Sequence, residues 1–282
     1  MCRLVLYLGP ELKIGSLVTE PEHSLIVQSY HSEEREEPLN GDGFGIAWYS
    51  QNPLEEPAIF KSISPAWNNQ NLRNLSRVVH SHCIMAHIRA ASPGLPVAEF
   101  NCHPFSREQF SFMHNGAISN FHTVKRPLIQ ILSDASYLQL QGTTDSEIIF
   151  ALFADQYALL EMEDNERKIA KALMNTICVI HNLCINQDND IQCEFNIVIT
   201  DGHVAVASRF SSAGVKPVSL YVHSGHEYRC HKGVVNLYPT ENPSVLIASE
   251  PLTNDKSWQK VPKNHLVLIN ENRELNYQAI SL

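Results

Sequence analysis

The chain has 282 residues, 44% hydrophobic and 18% charged, with a formal net charge of -9. That suits one large domain, or two small ones, with a real core. No Lys/Arg cluster appears, which argues against nucleic acid or an anionic membrane surface as a partner.

The chain opens on Met1-Cys2-Arg3, followed by a short apolar run. Cys is small enough for Met1 to be trimmed. Trimming would leave Cys2 with a thiol and a free α-amine on one carbon. Their reference pKa values, roughly 8.5 and 7.7–8.0, let the amine take the thiol proton near neutral pH. A nucleophile that carries its own base is one way to activate Cys, Ser or Thr. On position alone, a Cys that merely packs in a strand is the commoner outcome.

Residues 3–8 alternate weakly and are rich in Leu, Val and Tyr, which predicts a buried strand. The run is too short for a signal segment, and no apolar stretch reaches membrane-spanning length, so a cytoplasmic protein with no membrane partner is expected. The seven Cys include no CxxC and are then expected to be reduced. Residues 29–38 read as a charged, solvated loop.

Asn40-Gly41-Asp42-Gly43-Phe44-Gly45 feeds a strand at 46–49. Its glycines permit close backbone approach, either for a plain turn or for a loop lining a pocket near Cys2. It is not GxGxxG and no helix follows, so a dinucleotide site is rejected. Residues 83–89 predict a buried strand ending in Arg89, with a loop after it. Residues 110–113 predict another, and His114-Asn115-Gly116 reads as a turn. Arg89 and Asn115 are thus expected where strands give way to loops.

Thr144 followed by Glu147 is a capping box at a helix start. Apolar residues at 148, 149, 152, 153, 159 and 160 keep helical spacing. Asp145 falls in the first turn, where the helix dipole suits a carboxylate. A second helix is expected over 165–184, paired with the first. The C-terminal third predicts strands at 195–200, 203–208, 218–222, 244–249 and 265–269, with Asp201-Gly202 as a hairpin turn. Strands, two helices, then strands argue for α+β with two packed sheets and helices outside.

Cys2, Arg89, Asn115-Gly116 and Asp145 supply what hydrolysis of a glutamine amide needs. A thiolate attacks the amide carbon. The Asn115 amide and the Gly116 N–H could hold the oxyanion. Arg89 offers a bidentate grip on an α-carboxylate, and Asp145 a carboxylate for an α-ammonium.

With these segments the chain resembles the class II glutamine amidotransferases. The matching pieces are Met1-Cys2-Arg3, residues 40–45, residues 86–92, Asn101-Cys102-His103-Pro104-Phe105, His114-Asn115-Gly116 and residues 142–147, in family order. The resemblance implies the N-terminal-nucleophile hydrolase fold, a four-layer αββα sandwich of two mainly antiparallel sheets between helical layers. It implies one domain over 2–282 and no cofactor. It makes Cys2 the nucleophile with its amine as base, gives Asn115 and Gly116 the oxyanion role, and has Arg89 and Asp145 hold the substrate. Ser92 and His103 match positions beside the glutamine pocket.

Thr200-Asp201-Gly202, Ala248-Ser249-Glu250-Pro251-Leu252 and Trp258-Gln259-Lys260-Val261-Pro262 look like the small stand-alone branch. That branch includes a subunit of a glutathione-degrading complex and a γ-glutamyl hydrolase of ergothioneine synthesis. The implied substrate is glutamine or another small γ-glutamyl compound. A second reading is a non-autonomous or inactive amidotransferase-fold subunit that works only within a complex with a peptidase or synthetase partner, which would use the released ammonia or product. A third is a zinc site from His80, His82, Cys83 and His87, with Cys230-His231 further on, though tetrahedral sites usually show tighter spacing. Specificity is expected in loops at 29–42, 64–70 and 209–232.

Overall fold

The computed structural model describes residues 2–34, 39–50, 56–91, 94 and 96–282. In chain order the elements are β1 (Arg3–Lys13), α1 (Gly15–Val18), α2 (Leu25–Gln28), β2 (Phe44–Trp48), β3 (Ala58–Ser62), α3 (Gln70–Val78) and β4 (His80–Ile88). Then follow β5 (Phe105–Arg107), β6 (Phe110–Ile118), α4 (Phe121–Gln130), α5 (Asp134–Tyr137), α6 (Asp145–Ala158) and α7 (Asn165–Gln187). The last third holds β7 (Cys193–Thr200), β8 (Ala205–Ser211), β9 (Tyr221–His231), β10 (Val234–Pro239), β11 (Ser244–Ala248), β12 (Gln259–Lys260), β13 (His265–Ile269) and β14 (Leu275–Ala279).

Two sheets form. One runs β10-β9-β11-β1-β4-β2-β3 with β12 added beside β9; the other runs β14-β13-β8-β7-β6-β5. The described pairings are antiparallel. Strand alternation assigns the faces. Leu4, Leu6 and Leu8 of β1 meet Met113, Val198 and Val267 between the sheets. Val5 and Tyr7 point the other way, into a core shared with Ile14, Leu17, Leu25 and Leu72. The outer face of the second sheet packs against Ile149, Phe153, Leu173 and Ile177. The architecture is therefore the four-layer αββα sandwich, an α+β fold. α7 is long and apolar enough to cross a membrane by length and composition alone; here its stripe of Ile169, Leu173, Ile177 and Ile180 is buried in that outer core.

The predicted elements are present, and several are longer. β1 extends to Lys13, β4 begins at His80, and the strand expected at 218–222 becomes β9. α6 and α7 pack together as expected. Leu159, placed in the helical stripe, lies past the end of α6 and is exposed. Neither α3 nor α4 was expected, nor were the edge or short strands β3, β5, β10, β12 and β14. α3 buries only Leu72 and Ser76, and β10 only partly buries alternate residues, so their apolar signals are thin.

One expectation is corrected. His114-Asn115-Gly116 is not a turn; it lies inside β6, with Asn115 opposite Asn196 and Gly116 opposite Phe195. Asn-Gly marks a turn through positive φ. Gly116 serves another need: a Cβ there would sit 1.9 Å from the Glu194 carbonyl oxygen.

Gly45 answers a similar constraint in the other sheet. An added Cβ would lie 2.3 Å from the His103 carbonyl oxygen. Gly45→Ala is expected to destabilise the protein by about 1–3 kcal/mol, the usual cost of overpacking, read as a lower urea midpoint with an unchanged m-value.

Candidate active site

Cys2 immediately precedes β1, so the central strand of its sheet fixes where the sulfur sits. The thiol meets the backbone of Ala90: Cys2 Sγ donates to Ala90 O at 3.6 Å, and Ala90 N donates to the sulfur at 3.4 Å. Burial pushes the thiol up from its ordinary value, while the Ala90 hydrogen bond and the charges of Arg89 and Arg3 pull it down.

The glycine-rich loop holds the other side of that contact. Arg89 N donates to Gly43 O at 2.8 Å, Asp42 N donates to Arg89 O at 3.2 Å, and Ala91 N donates to Asp42 Oδ2 at 2.8 Å. Residues 89–91 are clasped on both edges. Gly43 has φ +105, and a Cβ there would meet Cys102 Sγ at 2.7 Å. The loop thus leads into β2 and also holds the segment that meets Cys2.

Arg89 is buried, just beyond β4. Its Nη1 donates to Pro96 O at 3.3 Å. Among the described residues no carboxylate pairs with it. A guanidinium has five N–H donors, so most remain available to a ligand carboxylate. Asn101 backs this wall by donating to Pro96 O and Thr143 Oγ1 and accepting from Thr143 N.

Asn115 reaches the region from the opposite sheet. Its side chain is buried between the sheets, where Nδ2 makes a long contact of 3.5 Å with Ser249 Oγ and Oδ1 has no partner. Ser249 Oγ also accepts from Leu4 N at 3.1 Å, and Ser249 N donates to Leu4 O. One hydroxyl thus bridges β1, the strand that follows Cys2, and Asn115.

Asp145 closes the far end of β6. Its Oδ2 accepts from Ile118 N at 3.0 Å and its Oδ1 from Ser146 N at 2.8 Å. Thr144 caps α6 by accepting from Glu147 N. The reciprocal half of the capping box does not form, because the Glu147 carboxylate takes the N–H groups of Gln141 and Gly142 instead.

His103 sits in an aromatic stack, 4.3 Å from the His87 ring and 4.7 Å from Phe105, and is only 4% exposed. Ser92 lies outside the described residues. Among the described residues, no group of three or more His, Cys, Asp or Glu is arranged to hold a metal ion. The positions given no role from sequence are Asp42, Asn101 and Ser249. Each acts through a partner 42 to 245 positions away, which periodicity cannot reveal.

The class II glutamine amidotransferase profile matches residues 19–279. The chain belongs to this family of amide-cleaving enzymes. It is 36% identical over 99% of its length to the probable glutamine amidotransferase DUG3 of Saccharomyces cerevisiae, covering 85% of that protein. It is 25% identical over 96% of its length to the gamma-glutamyl-hercynylcysteine sulfoxide hydrolase of Mycobacterium tuberculosis, covering 94% of that protein. A solved glutamine aminotransferase class-II domain protein from Silicibacter pomeroyi shares the fold, with TM-score 0.69 and 21% identity over the full length of both chains.

Three buried histidines lie behind the site. Burial lowers His87 to about 3 and takes His103 and His114 below their ordinary value. His87 Nε2 is 3.3 Å from His114 O; His114 Nε2 faces Glu194 O, leaving Nδ1 against Ser146 Oγ. The native state keeps His87 neutral where the unfolded chain protonates it. Its contribution is complete above about pH 6.5 and is lost as pH falls toward 3, with a limiting slope of about 1.4 kcal/mol per pH unit. Urea unfolding across this window is expected to show stability falling with pH, and a His87→Gln variant to have a slope shallower by about one proton.

Proposed function

We propose that this chain hydrolyses the γ-glutamyl amide bond of glutamine or of a larger γ-glutamyl compound through a thioester on Cys2. The reading takes 2–282 as one domain that acts in the cytoplasm after Met1 is removed. The observation that carries it is the meeting of three parts: the Cys2 thiol on Ala90, the buried Arg89 beside it with no carboxylate partner among the described residues, and Asn115 tied to the Cys2 strand through Ser249.

In this reading the freed α-amine takes the thiol proton, and the sulfur attacks the amide carbon. The carbonyl electron pair moves onto oxygen. Asn115 Nδ2 and the Gly116 N–H hold that oxyanion; the long Ser249 contact leaves Nδ2 free to turn toward it. The carbonyl re-forms, the C–N bond breaks, and the leaving amine takes the proton from the α-ammonium. Water then attacks the thioester, assisted by the same amine, and glutamate leaves while the thiol regains its proton. Arg89 holds the substrate carboxylate and Asp145 its ammonium. His103 positions the wall behind Arg89, and Ser92 follows the clasped segment 89–91.

Cys2→Ala is expected to abolish glutamate release from glutamine or a γ-glutamyl amide; a rate equal to wild type would overturn the mechanism. Intact-mass analysis of protein from its native cells should show loss of Met1.

Asn115→Ala is expected to lower kcat by about 10²–10³, the usual cost of one lost oxyanion donor. Arg89→Lys should act chiefly on KM, because an ammonium cannot give the bidentate grip. Steady-state kinetics on glutamine separates the two effects.

A further inference from the structure

The residue after the nucleophile carries a charge into the interior. Arg3 Nε lies 2.9 Å from Glu250 Oε1, and the two side chains are 4% and 5% exposed. Ion pairs this dry are often no more stabilising than apolar residues of similar volume, since both charges lose their water. Stability alone is thus a weak reason for placing one beside a catalytic sulfur.

Its connections give a better reason. Arg3 Nη1 donates to the carbonyl oxygen of Cys2 at 3.1 Å, and Arg3 Nη2 donates to Ser32 Oγ. Ser32 Oγ in turn donates to Glu250 Oε1, and Glu33 N donates to Glu250 Oε2 at 3.1 Å. The next residue is also held: Glu34 accepts from the Tyr221 hydroxyl and lies 3.8 Å from Lys260 Nζ. The start of the charged loop is therefore fastened to the end of the sheet where the Cys2 carbonyl is held. Ser249, next to Glu250, bridges β1 and Asn115.

We propose that Glu250 is a positioning residue for the reaction at Cys2, acting through Arg3 on the nucleophile's backbone and through Ser32 and Glu33 on the loop beside it. The proposal rests on the reading of Cys2 as nucleophile. Glu250 touches neither substrate nor sulfur. One carboxylate sets both the orientation of the attacking residue and the placement of Ser32 and Glu33. A guanidinium is needed opposite it, because only a planar fork reaches Cys2 O, Ser32 Oγ and Glu250 together.

The test compares Glu250→Gln, Arg3→Lys and Ser32→Ala with wild type, using kinetics on glutamine, thermal unfolding, and hydrogen exchange at residues 30–34. Glu250→Gln is expected to lower kcat at least about tenfold, within the roughly 10²-fold that a 1 Å misplacement costs, with KM nearly unchanged. Exchange at Glu33 should accelerate, and Arg3→Lys should share the kcat defect. A kcat for folded Glu250→Gln within about twofold of wild type would overturn the proposal, since a merely structural residue lowers the unfolding midpoint without slowing the folded fraction. If Glu250→Gln does not fold, Ser32→Ala decides: a reduced kcat with faster exchange at Glu33 supports the latch, and wild-type values overturn it. Should Cys2→Ala remain fully active, the nucleophile reading fails by itself, while the exchange measurement still reports on the latch.

Discussion

The site depends on β1 being buried on both faces. Leu4, Leu6 and Leu8 fill the space between the sheets, and Val5 and Tyr7 pack under the outer helices. Each fully buried Leu or Val side chain contributes roughly 1.5–3 kcal/mol. The register to β4 and β11 is then fixed, because slipping by one residue would exchange the two faces. Cys2, immediately before this strand, inherits its position from that register.

Around this anchor polar groups gather near Cys2 from separate parts of the chain. The glycine-rich loop clasps Arg89 to Ala91, Ser249 joins β1 to Asn115 of the other sheet, and Glu250 joins Arg3 to the start of the charged loop. Several of these groups are nearly dry. In such surroundings hydrogen bonds are stronger and unpaired polar atoms cost more. Among the described residues, the unpartnered Asn115 Oδ1 is an exception to normal satisfaction. His103 also has no partner for either ring nitrogen, which fits a neutral ring packed as an aromatic.

The chain belongs to an amide-cleaving family, and close to Cys2 it gathers groups from three separate parts of the sequence. Arg3, the segment Ala248-Ser249-Glu250 and the loop at 29–34 are far apart in sequence and adjacent in space. Their hydrogen bonds tie the Cys2 carbonyl to the start of the charged loop.

The local signals were strong wherever side-chain periodicity and chain chemistry were enough. They revealed the buried strand after Cys2, the Thr144 cap, the α6–α7 pair, the main C-terminal strands and, by their order, two sheets with helices outside. Ordered short motifs singled out Cys2, Arg89, Asn115, Gly116 and Asp145. Tertiary structure alone decided the rest. His114-Asn115-Gly116 became strand because it pairs with β7, and the Glu194 carbonyl there leaves no room for a side chain at Gly116. Ser249, Glu250 and Asp42 received their tasks from residues 49 to 247 positions away. Periodicity records which way a side chain faces along its own element; it carries no information about which distant backbone will be waiting there.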